Sequence, residues 1–230
     1  MKESEFDRFA EEYRAIHAAN ISASGEAPEF FAEYKIADLS RHARTNRIAA
    51  RSIVDFGCGV GNSIPFFRKY FPRSEVLAAD VSRKSLELAK QRFGEEARFF
   101  NLTGNRIDLP DGTFDVLFSA CVFHHIPHEE HEHWLRELRR IATPDAMLVI
   151  FEHNPWNPLT VRAVNTCEFD KNARLMTPSK LETSMQRAGW SRTRHEYRIF
   201  FPNSLRTLRP LEARMRWLPL GAQYAVIARP

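Results

Sequence analysis

The ten residues Ile53-Val54-Asp55-Phe56-Gly57-Cys58-Gly59-Val60-Gly61-Asn62 constrain this chain more than any other segment. A short apolar run ends in an acid and three alternate glycines, the pattern of a strand that turns sharply into a helix. Glycine permits positive φ and lacks the Cβ that would hold a ligand off the backbone, while a helix N-terminus offers N–H groups without intrahelical partners. Such a loop suits a nucleotide-like cofactor. The dinucleotide fingerprint G-x-G-x-x-G would need a glycine where Asn62 stands, and no Gly-Lys-Ser/Thr follows to make a P-loop.

A ribose-bearing cofactor also calls for an acid about 20 residues downstream, at the end of the next strand, to accept bonds from the ribose hydroxyls. Val76-Leu77-Ala78-Ala79-Asp80 supplies it, and Ser82 is a fitting N-cap for a helix through about Phe93. The pattern predicts strands over 53–56, 76–79, 97–100, 114–119 and 147–151, with helices over 61–71, 83–93 and 128–142 between them. A helix over about 178–188 and strands over 194–201 and 223–228 follow. This alternation implies a parallel sheet with helices on both faces and a ligand at the carboxyl ends of its strands.

Upstream, Phe6, Phe9, Ala10 and Tyr13 share one helical face, and a turn at Ser24–Pro28 leads to a second helical stretch from Glu29 to about Arg44. The chain of 230 residues, 43% of them hydrophobic, thus reads as one domain. Residues 1–50 form a helical cap that walls the cofactor mouth, 51–152 the cofactor-binding core, and 153–230 the substrate-side connection and C-terminal strands. No apolar run approaches the ~20 residues of a membrane span. Met1-Lys2-Glu3-Ser4-Glu5 is too acidic and polar for a signal peptide. Cys58, Cys121 and Cys167 lack C-x-x-C pairing, which speaks against a disulfide framework or zinc knuckle and for a cytoplasmic protein. The net charge of +4, from 33 basic and 29 acidic residues, is a weak sign of anionic partners. Arginines 192, 194, 198, 206, 209, 214 and 216 crowd the C-terminal part, either as a solvated surface or as a face for phosphate or anionic lipid.

Asp55-x-Gly57-x-Gly59-x-Gly61, followed by Asp80, resembles the first motifs of class I S-adenosylmethionine (SAM)-dependent methyltransferases. The likeness extends through Leu109-Pro110-Asp111-Gly112-Thr113-Phe114-Asp115-Val116-Leu117-Phe118-Ser119 and through Leu135–Ile141 with Pro144–Ile150, where Asp145-Ala146 departs from the family's Pro-Gly-Gly. The resemblance implies an α/β fold: a Rossmann-like seven-stranded sheet, mostly parallel with the last strand antiparallel. It also implies that Asp55, Gly57, Cys58, Gly59 and Gly61 approach the methionine part of SAM and that Asp80 holds the ribose. Asn105 stands in for the usual adenine-side acid, and Ser119 follows at the fourth strand end. S-adenosylhomocysteine is the implied product.

Methyl transfer asks chiefly for alignment, with a base only where the acceptor must lose a proton. Candidates lie after the fourth strand, at His124 and His125, and after the fifth, at Glu152 and His153. Histidine titrates near neutrality and suits that role. His128, His131 and His133 continue the histidine run, but Glu129, Glu130 and Glu132 mark a solvated helix start, so no metal ligand set is expected. Asn154-Pro155-Trp156 has a superficial likeness to the Asn-Pro-Pro-Tyr of nucleic-acid amino methyltransferases, yet it follows the fifth strand rather than the fourth. Glu152-His153-Asn154-Pro155-x-Asn157-Pro158 and Leu218–Tyr224 instead resemble a bacterial small-molecule subgroup. Phe6, Tyr13, Phe30, Phe31, Phe123, Trp156 and Phe201 are candidates for an apolar acceptor pocket. The expected acceptor is therefore a small, partly apolar metabolite. Methylation of nucleic acid and a non-catalytic SAM-binding role are the alternatives, and the oligomeric state stays open.

Overall fold

The computed structural model describes residues 19–230. The proposed face of Phe6, Phe9, Ala10 and Tyr13 lies outside them. The first long helix, α1 (Pro28–Thr45), is opened by a proline whose fixed φ suits the first helical turn. Then come β1 (Ser52–Phe56), α2 (Ile64–Tyr70), β2 (Glu75–Asp80), α3 (Arg83–Phe93), β3 (Arg98–Asn101) and β4 (Phe114–Ala120). The remainder holds α4 (His131–Ile141), β5 (Ala142–His153), α5 (Pro158–Thr166), α6 (Pro178–Arg187), β6 (Ser191–Arg198), α7 (Glu212–Met215) and β7 (Gln223–Arg229).

The seven strands form one sheet in the order β3-β2-β1-β4-β5-β7-β6. β1 through β5 pair in parallel, while β7 runs antiparallel to both β5 and β6, the mostly parallel sheet with an antiparallel last strand that the resemblance implies. The chain reverses its direction of winding at β1 and β4, whose carboxyl ends frame the crevice where ligands bind in such sheets.

Strand alternation divides the core between the faces. Val54, Phe56, Leu117, Leu148 and Ile150 meet Leu135 and Leu138 of α4 and Leu181 and Met185 of α6 on one face. Ile53, Val116, Phe118, Met147 and Val149 meet Ile36 and Leu39 of α1 and Phe67 of α2 on the other. Both faces of the central strands are covered, as the near-continuous apolar runs of β1 and β5 require.

Several elements differ from the pattern: β6 runs Ser191–Arg198 rather than 194–201, and α4 starts at His131 rather than 128. α2 begins three residues beyond Gly61, because Gly61 to Ser63 form a turn first. β5 starts at Ala142 rather than 147: Phe114 pairs with Ala142 and Val116 with Met147, so Pro144-Asp145 is absorbed as a bulge. α5 has no counterpart in the expected elements, although Asn157 caps it by accepting bonds from the Leu159 and Thr160 amides.

The crowded arginines are largely tied to carboxylates. Arg198 is 1% exposed, with its Nε 2.9 Å from Asp38 and its terminal nitrogens bonded to Glu196 at 2.5 Å and to the Tyr197 carbonyl at 2.9 Å. Arg216 pairs with the same Glu196, and Arg209 with Glu26. The Arg198 network fastens α1 to the β6 edge of the sheet. Among the described residues, no helix is long and apolar enough to cross a membrane.

Candidate active site

The three glycines of the loop do different work. Gly57 (φ 81°) has no room for a side chain, since a Cβ would overlap Val122. A Cβ on Gly61 (φ 81°) would meet Ile64 Cδ1 at 2.9 Å and Ala89 Cβ at 3.1 Å, so this glycine lets the loop pack on α2 and α3. Gly59 (φ 53°) has nothing within 4 Å of a Cβ position and lines the cavity. It is the glycine that a ligand can approach.

Asp80 closes the loop from the neighbouring strand. Its Oδ2 accepts from the Gly59 amide and its Oδ1 from the Ser82 amide, both at 2.8 Å. The Asn101 side chain donates to the carbonyls of Asp80 and Val81, which steadies the turn. Each carboxylate oxygen has more than one acceptor direction, so an oxygen that accepts from a backbone amide can also accept from one hydroxyl of a cis-diol. Asp55 is 2% exposed beneath the loop, its Oδ2 without a hydrogen-bond partner among the described residues. Burial and the nearby Asp80 push its pKa up to about 8.

These groups line one end of a cavity of about 650 Å³, within the range typical of small-molecule sites. The start of α1 provides part of its wall through Phe31, Ala32 and Lys35. Phe31 and Phe201 line it, whereas Phe123 is in the core, Phe30 packs against Arg209, and Trp156 is 53% exposed beside Tyr197.

At the other end stand the strand-end groups. The chain leaves β4 through Cys121 in a left-handed conformation (φ 59°) and enters a tight turn over Phe123–His125. Glu152 of β5, 1% exposed, holds that turn: its Oε1 accepts from the Val122 and Phe123 amides and its Oε2 contacts His124 Nδ1 at 2.6 Å. With three donors satisfied, Glu152 is an orienting carboxylate rather than a group facing the cavity. Burial opposes protonation of His124, but Glu152 and Asp170 outweigh it and raise its pKa. His125 and His153 also line the cavity, and the His124 ring is 5.1 Å from that of His153. Cys121 is brought down to about 7: burial works against its thiolate, and Lys35 and His153 more than compensate.

Two expected cofactor contacts need correction or refinement. Ser119 is fully buried, its hydroxyl without a partner among the described residues, and the chain reaches the cavity only where β4 ends, through Ala120 and Cys121. Asn105 lines a smaller, second cavity with Val81, Leu102 and His133; Val81 is common to both cavities. The remaining histidines are engaged elsewhere. His131 Nε2 lies 2.8 and 3.0 Å from the Phe123 and Ile126 carbonyls, His128 contacts the Arg174 carbonyl and Lys180, and His133 bonds to the Asn105 carbonyl. Asn154 and Asn157 donate to the carbonyls of Pro219, Gly221 and Leu220, which explains why the two subgroup segments occur together.

Sequence reading missed Lys35 and Asp170. Lys35 sits mid-helix in α1 with its ammonium 3.6 Å from Cys121 Sγ. Asp170 ends a short turn after α5, and its Oδ1 lies 3.5 Å from His124 Nε2 and 3.3 Å from His125 Nε2. Neither carries a local motif. The unanticipated α5 was the available signal that the 153–170 connection returns to the site.

Residues 53–145 match the methyltransferase domain family. The demethylmenaquinone methyltransferase of Thermus thermophilus is 30% identical over 46% of this chain and 49% of its own length. The trans-aconitate 2-methyltransferase of Afipia carboxidovorans is 32% identical over 44% of this chain and 36% of its own length. The chain thus spans half or less of these curated relatives. A solved SAM-dependent methyltransferase from Thermotoga maritima, described as a possible histamine N-methyltransferase, superposes with a TM-score of 0.69 at 18% identity, covering 99% of this chain and 98% of that one. The chain has the fold of class I SAM-dependent methyltransferases, and the stretch that matches the methyltransferase domain family runs from β1 into β5.

Proposed function

We propose that this chain transfers the methyl group of SAM to a small, partly apolar metabolite by in-line displacement, releasing S-adenosylhomocysteine. The observation that carries this reading is that Gly59 and Asp80 line the same cavity as His125 and His153. A methyl donor held by the loop would face an acceptor held at the strand ends. The sulfonium makes the methyl electrophilic, so the protein's share is alignment and exclusion of water. The relatives named for demethylmenaquinone and trans-aconitate support a small acceptor. The carboxylate partners of Arg198, Arg209 and Arg216 favour it over nucleic acid. Free cysteines at 58 and 121 on the cavity suit a reducing cytoplasm.

In this reading Glu152 orients His124, and His153 takes the acceptor's proton or aligns its lone pair. His153→Ala is expected to lower kcat about 10²-fold, with the calorimetric affinity for S-adenosylhomocysteine unchanged. An equal loss in both quantities would assign His153 to the cofactor instead. The founding test is incubation of pure protein and labelled SAM with fractionated small metabolites. A labelled product supports the reading, and absence of SAM and S-adenosylhomocysteine binding removes it.

Asp55 supplies a second readout. With its pKa at about 8 it is mostly protonated at neutral pH, and the cofactor's ammonium beside it would favour the carboxylate. Binding at pH 7 should therefore release close to one proton per cofactor, measured by titration calorimetry in buffers of different ionisation enthalpy. Asp55→Asn should abolish that release. A buffer-independent binding enthalpy in the unaltered protein would show that Asp55 is not beside the ammonium.

A further inference from the structure

We propose that His124, His125 and Asp170 form a binding site for a divalent first-row transition metal, of the zinc or iron(II) class, on the acceptor side of the cavity. Among the described residues, His124 Nε2 and Asp170 Oδ1 are both buried without a hydrogen-bond partner, in side chains 1% and 5% exposed. They face one another at 3.5 Å, and His125 Nε2 is 3.3 Å from the same Asp170 oxygen. All three ligand atoms lie within 4.8 Å of one another. Two ligands of a tetrahedral zinc ion, each about 2.1 Å from the metal, are separated by about 3.4 Å. The two separations to Asp170 match that value, while the histidine nitrogens, within 4.8 Å of each other, must draw together by roughly 1 Å to close on an ion.

The surroundings also fit. Metal-bound histidine commonly donates its other ring nitrogen to a carboxylate, which fixes tautomer and ring orientation. Glu152 takes that part at 2.6 Å from His124 Nδ1, and its other oxygen is anchored by two backbone amides. Asp170 is held by the fold rather than by a flexible loop. Its amide donates to the Cys167 carbonyl, and the Arg174 amide donates to the His124 carbonyl at 2.7 Å. Two histidines and one carboxylate leave coordination positions vacant for exogenous ligands, as catalytic zinc and non-haem iron sites do. Those positions open onto the cavity that His124, His125 and Asp170 line. The absence of a ligand set expected from sequence holds for the histidine run 124–133 taken without the rest of the chain. Asp170, 45 residues beyond His125, completes the set.

The metal would bind an acceptor through oxygen, as a hydroxy or keto acid or a vicinal diol binds, and would stabilise the deprotonated oxygen. This role rests on the proposed methyl transfer; the metal site itself does not. The competing arrangement of the same residues is a proton on His124 Nε2 shared toward Asp170, which a bound metal would displace.

Cobalt(II) is the probe. The full-length protein, stripped with chelator, is titrated with Co²⁺ and followed by visible absorption, with bound metal counted after dialysis. One Co²⁺ per chain, with ligand-field bands displaced by Zn²⁺, is the expected result. His125→Ala and Asp170→Asn should each abolish the bands, and Glu152→Gln should weaken binding about 10–100-fold. His133→Ala should leave the bands unchanged. Circular dichroism and S-adenosylhomocysteine affinity check that each variant is folded. Folded protein that binds neither Co²⁺ nor Zn²⁺, or binds both equally well after Asp170→Asn, overturns the proposal in favour of the shared proton. S-adenosylhomocysteine binding without Co²⁺ binding would remove the metal and leave the methyl-transfer reading standing. The reverse result would do the opposite.

Discussion

Asp80→Ala is expected to weaken SAM and S-adenosylhomocysteine binding by about 10²–10⁴-fold. Hydrogen bonds to a charged group contribute about 1.5–3 kcal/mol each, and a ribose diol would make two of them. Their loss amounts to roughly 3–6 kcal/mol, at about 1.4 kcal/mol per tenfold change in affinity. The same substitution strips an acceptor from the Gly59 and Ser82 amides, so part of the loss would come from a loosened loop. Hydrogen exchange of the loop amides without cofactor separates the two contributions. Asp80→Asn sharpens the test, because the amide would turn an N–H toward one of the two backbone donors. Calorimetric dissociation constants within threefold of the unaltered protein would take Asp80 out of the cofactor site.

Arg198→Ala is expected to destabilise the fold by about 3–5 kcal/mol, because it leaves buried carboxylates without their cation. For a chain of this length that lowers Tm by roughly 10 °C, measurable by calorimetry or circular dichroism. Asp38 is 8% exposed and receives Arg198 Nε at 2.9 Å. Burial works to raise the Asp38 pKa, yet His42 and Arg198 hold it well below the usual carboxylate range. A depressed pKa contributes stability that is present above the unfolded value of about 3.9 and lost as pH falls below it. The gap between Arg198→Ala and the unaltered protein should therefore narrow on acidification from about pH 4. Asp38→Ala combined with Arg198→Ala should cost less than the sum of the single changes. Strict additivity would mean that the two groups do not act as a pair.

Much of this architecture is written locally. Ser82 caps α3 where expected because a hydroxyl can satisfy the Ser85 amide, and apolar alternation located β1, β2 and β4 within one or two residues. The glycine loop and Asp80 were equally legible, since a left-handed glycine turn followed by an acid one strand later requires particular residues at particular spacings. Ser119 escaped correct placement because β4 runs one residue further than the pattern indicates, and only residues at or beyond its end reach the cavity. The terminal cluster of arginines gave no sign that Arg198 is internal, because its partners Asp38 and Glu196 lie on different elements.

The acceptor end was decided by tertiary structure. His124, His125, Glu152 and His153 could be named as strand-end residues, but Glu152 became an anchor only when β4 and β5 brought the Val122 and Phe123 amides to its oxygen. Lys35 and Asp170 reach the same cavity from α1 and from the turn after α5, segments separated by 135 residues. The physical reason is the range of the interactions. Caps, turns and strand periodicity are set by neighbours in the chain and leave a readable pattern. An ion pair or ligand set between remote segments leaves none until packing of the sheet and helices fixes their distance. Sequence alone thus determined the sheet, the glycine loop and Asp80, and folding decided what stands opposite them.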